Sequence, residues 1–240
     1  MKVLNDLLDY EGIKINQRND MFNFSLDTVL LARFATLNTK IKNILDIGTN
    51  NAAIPLILST LTSAPITGIE LQKEAVQLAE ENVALNHKIE QIKIIHNDIN
   101  EYVKTNANVK YDLIVCNPPF FKVDGAKLNE KNKLLIPARH ETDVTLEEII
   151  FAAKKLVANR GYFAIIHRTT RLLEITALLI KYGFNIKRLQ FIHPFVKSEA
   201  NNVLIEARFQ SGAGLIVEKP IIVHNKNYHY TEQVLKLFRK

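Results

Sequence analysis

Four short apolar runs, separated by segments of helical periodicity, constrain the fold of this 240-residue chain more than any other feature. The runs occupy residues 43–48, 66–69, 92–95 and 111–116. Continuous apolar runs are typical of parallel strands buried on both faces, and their alternation with helices predicts an α/β sheet. In open sheets of this kind ligands bind at the carboxyl ends of the strands. The residues that end the four runs are therefore the first candidates for a functional site.

Carboxylates stand at the ends of the first three runs. Asp46 and Gly48 lead through a tight turn into a helix predicted over 53–63, as in a nucleotide-binding crossover. Glu70 ends the second run about 20 residues further on, at the spacing where a carboxylate can bind a ribose diol. The alternative is that Glu70 is only a charged residue in the first turn of a helix over 72–86. Asp98 follows the third run, where it can contact an adenine amino group or simply cap a helix over 100–103.

The fourth run ends in the tetrapeptide Asn117-Pro118-Pro119-Phe120. Proline fixes φ and lacks an N–H group, so two prolines make this turn stiff. The Asn117 amide oxygen and the Pro118 carbonyl can accept both hydrogens of a planar amine while Phe120 stacks on its ring. A proline-rich turn without chemistry is the alternative, but functional groups at four successive strand ends favour a binding site.

The later part of the chain predicts the rest of the sheet. A fifth strand over 161–166 and a helix over 172–182 precede two strands, 185–192 and 203–209, that have no helix between them. Successive strands of this kind indicate an antiparallel hairpin at the edge of a mainly parallel sheet. Residues 121–145 have no clear period and predict a substrate-side lid, in which His140 is more typical of a solvated loop histidine than of a general base.

Composition excludes several classes of protein. Hydrophobic residues make up 47% of the chain and charged residues 23%, as in ordinary globular proteins. The single cysteine, Cys116, excludes an internal disulfide and a cysteine zinc cluster, and we interpret it as a buried strand residue in a cytoplasmic protein. No apolar segment reaches membrane-spanning length, so a soluble protein without a metal site or membrane partner is predicted.

The net charge of +6 is concentrated in the last part of the chain. Residues 171–240 hold 11 Lys and Arg against 5 Asp and Glu, whereas the preceding residues hold 20 of each kind. A basic region on a neutral body indicates a polyanionic partner, most simply nucleic acid. A solvated, slightly basic surface is the alternative.

The chain resembles class I S-adenosylmethionine-dependent methyltransferases through its acid-glycine turn, its second- and third-strand acids and its Asn-Pro-Pro-aromatic motif. More closely, it is similar to the bacterial tRNA(Val) adenine-N6-methyltransferase-like family. The segments that carry this similarity are Phe24-Ser25-Leu26-Asp27-Thr28-Val29-Leu30-Leu31-Ala32, Ala138-Arg139-His140-Glu141, Val144-Thr145-Leu146-Glu147, Val203-Leu204-Ile205-Glu206-Ala207 and Tyr230-Thr231-Glu232.

The resemblance implies a Rossmann-like fold with a seven-stranded, mainly parallel sheet and an antiparallel edge hairpin. It implies S-adenosyl-L-methionine as cofactor and tRNA as partner, without an obligatory protein partner. The implied catalytic residues are Asn117, Pro118 and Phe120, which surround the target base. Among the implied cofactor-binding residues, Asp46 and Gly48 lie at the methionine end, Glu70 on the ribose and Asp98 near the adenine. The others are Phe24, Ser25, Asn50, Leu71, Ile99 and Asn117.

The same resemblance implies a single methyltransferase domain over 1–240. Within it, residues 1–42 form a cofactor-capping extension, 43–210 the core, and 211–240 a basic C-terminal tail. Helix formation is predicted from Ser25, because serine caps helices well.

The first turn departs from the glycine-rich pattern of the family. Here Asn50 and Ala52 stand where glycines are usual, and Asn50 is expected to tolerate a positive φ. Ala52 is expected to place a methyl group where backbone and ligand approach each other, which reduces affinity or reshapes the turn.

Alternative functions stay open from the sequence. The fork also suits a guanine N2 amine of rRNA or a glutamine amide of a protein, although glutamine methylation usually involves a separate helical domain. The altered turn permits a non-catalytic RNA-binding homologue. A dehydrogenase is a weaker alternative because the Gly48 turn does not match G-x-G-x-x-G.

Overall fold

The computed structural model describes residues 2–6, 12–18, 25–118 and 144–239. Three predicted features therefore lie outside the described residues: the side chains of Phe24 and Phe120, and most of the lid predicted over 121–145. The fork is described as far as Pro118.

Nine strands of the described residues form the main sheet, and the seven longer ones lie in the spatial order β8-β9-β7-β6-β3-β4-β5. All neighbouring strands are parallel except β9, which runs antiparallel to both β7 and β8. The prediction of a mainly parallel sheet with an antiparallel hairpin is confirmed. The strands are β3 (Ile44–Ile47), β4 (Ile66–Glu70), β5 (Ile92–His96), β6 (Tyr111–Cys116), β7 (Val157–Arg168), β8 (Phe184–His193) and β9 (Asn202–Phe209).

Four further strands lie outside this series of seven. The strands β1 (Lys2–Asp6) and β2 (Lys14–Arg18) pair as a separate antiparallel hairpin. The two-residue strands β10 (Ile216–Val217) and β11 (Ile221–Ile222) both pair in parallel with β8, so the predicted hairpin is not the outermost part of the sheet. Sequence reasoning missed the pairing of β10 because two-residue strands carry no detectable period.

Helices cover both faces of the sheet. The first core cluster lies against α1, α2 and α3, and the second lies against α4, α5 and α6. The helices are α1 (Leu26–Phe34), α2 (Ala53–Leu61), α3 (Lys73–Leu85), α4 (Ile99–Thr105), α5 (Leu146–Leu156), α6 (Leu172–Lys181) and the short α7 (Glu232–Leu235). Each predicted helix is present, and most ends lie within two residues of the prediction.

Local sequence explains where these elements begin. All four residues of β3 are buried, as expected for a central parallel strand covered on both faces. A capping box starts α5, where the Thr145 hydroxyl accepts from the Glu148 N–H and the Glu148 carboxylate accepts from the Thr145 N–H at 2.8 Å. Ser25 is the N-cap of α1 by position, but its hydroxyl makes no capping hydrogen bond, contrary to the prediction.

Two asparagines attach the N-terminal hairpin to the core: Asn82, which lies in α3, and Asn86, which is the C-cap of α3. The Asn82 amide oxygen accepts from the Asn16 N–H at 2.7 Å, and its amide nitrogen donates to the Asn16 carbonyl. The Asn86 amide pairs in the same way with the backbone of Lys14. The amide nitrogen of Asn82 also donates to the Asn51 carbonyl at 3.0 Å. The hairpin is thereby held beside the turn that follows β3.

The segment predicted as a basic tail packs onto the body of the protein. Val234 and Phe238 are buried in the first core cluster, and the Arg33 guanidinium donates to the Arg239 carbonyl at 3.1 Å. No helix of the described ranges is long and apolar enough to cross a bilayer.

Candidate functional site

The turn after β3 contains three residues in left-handed backbone conformation: Gly48 at φ +71°, Asn50 at +49° and Ala52 at +63°. As expected, Asn50 adopts the conformation that glycine usually supplies. A Cβ placed on Gly48 would meet no atom within 4 Å, so the backbone at this position borders open space. The turn therefore leaves room for close approach of a ligand at Gly48.

The expectation that Ala52 meets the ligand is wrong for this conformation. Its side chain is 0% exposed and belongs to the first core cluster. Ala52 is the N-cap of α2, and its left-handed backbone turns the methyl group towards the core. The substitution of glycine by alanine here affects backbone strain and packing, and it does not narrow the ligand-facing side of the turn.

Gly68 in β4 is a site residue that sequence reasoning missed. A Cβ on this residue would lie 2.8 Å from Thr49 Oγ1, so only glycine allows Thr49 to pack over the strand. Gly68 pairs in register with Asp46. An isolated glycine within the apolar run 66–69 was the available signal, since such a glycine often marks a close backbone approach.

Asp46 is fully buried, and its carboxylate makes no hydrogen bond within the described ranges. Neither of its carboxylate oxygens, nor Thr49 Oγ1, is bonded to any residue in the described part of the chain. Burial raises the pKa of Asp46 to about 8, the nearby Thr49 hydroxyl opposes this rise, and the Glu70 charge adds to it. A buried carboxylate without partners costs free energy that a cationic or hydrogen-donating ligand would recover.

Glu70 is buried but well oriented. Its Oε2 accepts from the Asn50 N–H and its Oε1 from the Gln72 N–H, both at 2.9 Å. Burial raises the pKa of this carboxyl group, and the backbone donors, led by Gln72, oppose that rise. Each oxygen keeps a second lone pair, so the carboxylate can still accept hydrogen bonds from two hydroxyl groups such as those of a ribose.

Asp98, Ile99 and Leu71 lie on the same side of the site as Glu70. The Asn97 N–H donates to the Glu70 carbonyl at 3.0 Å, and His96 Nε2 lies 2.9 Å from the Leu71 carbonyl oxygen. Asp98 Oδ1 accepts from the Asn100 N–H at 2.7 Å, so this residue does cap α4. Ile99 is only 4% exposed and packs in the second core cluster.

Asn117 and Pro118 follow β6, which lies directly beside β3. Val115 pairs with Asp46, so Asn117 stands two residues beyond that pair. At strand spacings this places its backbone within about 10 Å of Asp46. Asn117 is half-buried, and its amide makes no hydrogen bond to a described residue. The structure therefore brings Asp46, Gly48, Glu70 and Asn117 together at one edge of the sheet.

A second polar group at this edge was not predicted. Asp27, in the first turn of α1, accepts from the Asn202 amide at 2.8 Å, and Asn202 Oδ1 accepts from Arg168 at 3.1 Å. Burial raises the pKa of Asp27, and the hydrogen bond from Asn202 opposes the rise. Arg168 is the last residue of β7 and Asn202 the first of β9. Because 175 positions separate Asp27 from Asn202, no local sequence pattern links these two residues.

Cys116 and one cavity of the described residues are separate from the candidate site at the strand ends. Burial, with the Asp46 charge, raises the pKa of the Cys116 thiol well above its usual value, as expected for an inert strand residue. A cavity of about 300 Å³ is lined by Gly12, Ile13, Leu56, Ser59, Thr60, Asn86 and Lys88, between the N-terminal hairpin and α2. None of the predicted site residues lines it.

The strand order and the position of the acids define a class I methyltransferase fold. A crystal structure of a predicted O-methyltransferase from Agrobacterium tumefaciens superimposes with a TM-score of 0.69. The two sequences are 21% identical, and the match covers 88% of this chain and 95% of the other. At this identity the likeness shows the fold alone.

Sequence comparison identifies the family. The model of the methyltransferase small domain family matches residues 24–179. A Proteus mirabilis protein named tRNA1(Val) (adenine(37)-N6)-methyltransferase is 30% identical over 213 residues, which are 86% of this chain and 82% of that protein. A Porphyromonas gingivalis protein of the same name is 28% identical over 242 residues, covering 97% and 93%.

The chain belongs to the methyltransferase small domain family. The predicted family resemblance, fold class and enzyme class are confirmed, and the protein is an S-adenosyl-L-methionine-dependent methyltransferase. The roles given above to individual site residues stay predictions, for which the geometry supplies the physical basis.

Proposed function

We propose that this protein methylates N6 of an adenine in the anticodon loop of tRNA(Val), with S-adenosyl-L-methionine as methyl donor. The substrate is inferred from one observation, which is that relatives aligned with most of the chain share this name. The stiff Asn117-Pro118 turn beside Asp46 supports an amine as the methylated group. A tRNA substrate also favours action in the cytoplasm.

The cofactor fits the residues at the ends of β3 and β4. The Asp46 carboxylate, which makes no hydrogen bond to a described residue, suits the cationic methionine end, and the open space at Gly48 allows close backbone contact. The oriented oxygens of Glu70 suit the ribose hydroxyls. Leu71, Asp98 and Ile99 then border the adenine side, and Ser25 at the start of α1 stays a proposed cofactor-binding residue. When bound, S-adenosyl-L-methionine supplies an electrophilic methyl group.

Asn117 and Pro118 prepare the target amine. The lone pair of an aromatic amine is delocalised into its ring, which makes the nitrogen a poor nucleophile. If the Asn117 amide oxygen and the Pro118 carbonyl accept the two N–H hydrogens, the lone pair is localised on nitrogen and oriented for attack. The nitrogen loses a proton after methylation, so the chain needs no strong base at this position.

The target base must leave its stack to reach this turn. Turning a base out costs roughly a few kcal/mol, and stacking on an aromatic ring, assigned here to Phe120, recovers about 1 to 3 kcal/mol. Single-stranded loops are the usual targets of sequence-specific RNA recognition because their bases are accessible. An anticodon loop meets this requirement.

The test is transfer of tritium from labelled S-adenosyl-L-methionine into unmodified tRNA, followed by nucleoside analysis. Label in N6-methyladenosine is expected, and purified tRNA(Val) should be the best acceptor. Label in N2-methylguanosine, or in protein glutamine, would replace the adenine assignment. Absence of transfer together with absence of cofactor binding by calorimetry would favour a non-catalytic RNA-binding role.

The variant Asn117→Ala separates chemistry from cofactor binding. We expect methyl transfer to fall at least a hundredfold, because two hydrogen-bond acceptors act together on the amine and one is removed. Calorimetric affinity for S-adenosyl-L-methionine should change less than threefold. Equal losses in transfer and in affinity would contradict the assigned role of Asn117.

A further inference from the structure

A group of aromatic and basic residues lies at the carboxyl edge of the sheet, beside β8. We call it the edge patch, and it comprises Phe195, Lys197, His224, Lys226 and Tyr228. Phe195 and Lys197 follow the end of β8, while the other three follow β11, whose Ile222 pairs in parallel with His193 of β8. Because β8 runs in the same direction as β6, the edge patch extends from the same edge of the sheet as Asn117.

The rings of the edge patch are anchored in the core. The centroids of Phe195 and Tyr228 are 5.1 Å apart with nearly perpendicular planes, and those of Phe195 and His224 are 5.4 Å apart. His224 stacks on Tyr230, which in turn contacts the buried ring of Phe238. The exposed end of this ring series is therefore held in place before any partner arrives.

Tyr228 combines backbone strain with exposure. Its φ is +63°, a conformation that costs a residue with a side chain about 1 to 2 kcal/mol and that glycine or asparagine usually occupies. The turn is closed by Asn225, whose carbonyl accepts from the Tyr228 N–H at 3.1 Å. The Tyr228 side chain is nevertheless 77% exposed, so burial in the core does not compensate for the strain. Such a strained, exposed aromatic residue points to a function in binding.

The charge of this surface is complementary to RNA. Lys197 and Lys226 are exposed, and neither forms an ion pair with a described residue. Glu199 is the acidic residue in the loop that carries Lys197. Residues 171–240, which include the edge patch, carry the whole excess positive charge of the chain.

We propose that the edge patch binds the single-stranded RNA next to the target adenine, with Tyr228 stacking on an unpaired base and the two lysines contacting phosphates. Three strand spacings separate β8 from β6, which places the patch on the order of 15 to 20 Å from Asn117. A few nucleotides of the same loop can span that distance when their backbone is extended. This inference rests on the proposed tRNA substrate and specifies where that substrate is held.

The main test is Tyr228→Asn, which removes the ring and keeps a residue suited to the left-handed turn. The melting temperature should stay the same or rise, and affinity for S-adenosyl-L-methionine should be unchanged. The dissociation constant and KM for tRNA should each rise about tenfold, as expected for loss of one base stack, with kcat within about threefold of wild type.

A second variant tests the lysines. Lys197→Ala combined with Lys226→Ala should reduce the slope of log Kd against log salt concentration by about 1.4, the effect of two phosphate contacts to a single strand. The matched control is Lys154→Ala combined with Lys155→Ala. These lysines contact the rings of Tyr182 and Phe151 near the opposite edge of the sheet, so that variant should bind tRNA like wild type.

Two outcomes would overturn the inference without affecting the proposed function. The first is that Tyr228→Asn methylates tRNA at the wild-type rate and with the wild-type KM for tRNA. The second is a parallel loss of melting temperature and cofactor affinity, which would show a structural role for Tyr228. Failure of the proposed function is distinguishable, because the wild-type protein itself would then transfer no methyl group to tRNA.

Discussion

Asp46 and Glu206 are both buried carboxylates in strands of one sheet, yet their surroundings differ completely. Glu206 in β9 is 1% exposed and accepts from the Thr36 N–H at 2.7 Å, from the Thr36 hydroxyl at 2.7 Å and from Arg188 Nε at 2.9 Å. Asp46 is 0% exposed, and its oxygens have no partner among the described residues. Within the described residues, the Glu206 carboxylate accepts three hydrogen bonds at 2.7 to 2.9 Å and the Asp46 carboxylate accepts none.

This difference separates structural from ligand-binding groups. The Glu206 network joins the end of α1, β8 and β9, because Arg188 also donates to the Phe34 carbonyl and to Glu218. A fully satisfied buried network fixes the packing of its elements. An unsatisfied buried carboxylate at a strand end has the opposite effect on stability, and it is retained where binding requires it.

The same substitution, carboxylate to amide, should have its largest effect on stability at Glu206. Glu206→Gln leaves the partly buried Arg188 without its main counter-charge and directs an amide N–H towards donors, so we expect a loss of about 3 kcal/mol in the free energy of unfolding. Urea denaturation measures it. Lys181→Ala, which breaks an exposed pair with Glu147, is the control and should leave the midpoint of urea denaturation close to that of wild type. If Glu206→Gln changed the free energy of unfolding as little as the control does, the Glu206 network would stabilise the fold no more than an exposed ion pair.

At Asp46 the same change should act on the cofactor instead. Asp46→Asn is expected to weaken S-adenosyl-L-methionine binding about 10- to 100-fold, since a charge-assisted contact is worth about 1.5 to 3 kcal/mol. The free energy of unfolding at pH 7 should be unchanged or higher, because a buried ionisable group is removed. Calorimetry and urea denaturation of the same preparation test both statements. Unchanged cofactor affinity would argue against a ligand-binding role for Asp46.

The pH dependence of stability gives a separate test of the buried Asp46. The pKa of Asp46 is raised from 3.8 to about 8, so between these values the folded state binds more protons than the unfolded state. Through this group, the free energy of unfolding falls as the pH rises across that window, by up to about 1.4 kcal/mol per pH unit. The slope should be shallower in Asp46→Asn than in wild type. Identical slopes in urea titrations from pH 5 to pH 8 would show that Asp46 is not responsible.

Sequence could predict the elements that are marked by neighbouring residues, such as an apolar run, a proline or a fixed spacing. The apolar runs located β3 to β6, and the prolines located the end of β6. The spacing from Gly48 to Glu70 predicted that both follow strands at one end of the sheet, where the structure places them. Asp98 shows the limit of such reasoning, since one aspartate satisfies both the binding and the capping interpretation and the structure shows the cap.

Contacts between distant residues could not be predicted in this way. The approach of Thr49 to Gly68, the pairing of Asp27 with Asn202 and the ring series that ends at Tyr228 all depend on tertiary packing. Ala52 was assigned to the ligand side because sequence does not reveal the direction of a side chain in a left-handed turn. These are the places where the fold, not the local pattern, decides which atoms meet.

The docking of residues 232–238 against α1 also bears on how the molecule assembles. Arg33 and Arg239 are in contact although 206 positions separate them, and Val234 and Phe238 lie in the same buried cluster as Val29 and Leu30. Contacts of such long sequence separation close large loops and slow folding. During synthesis the part of α1 that packs on residues 232–238 therefore stays uncovered until those residues have been made, and until then it is open to aggregation or chaperone binding.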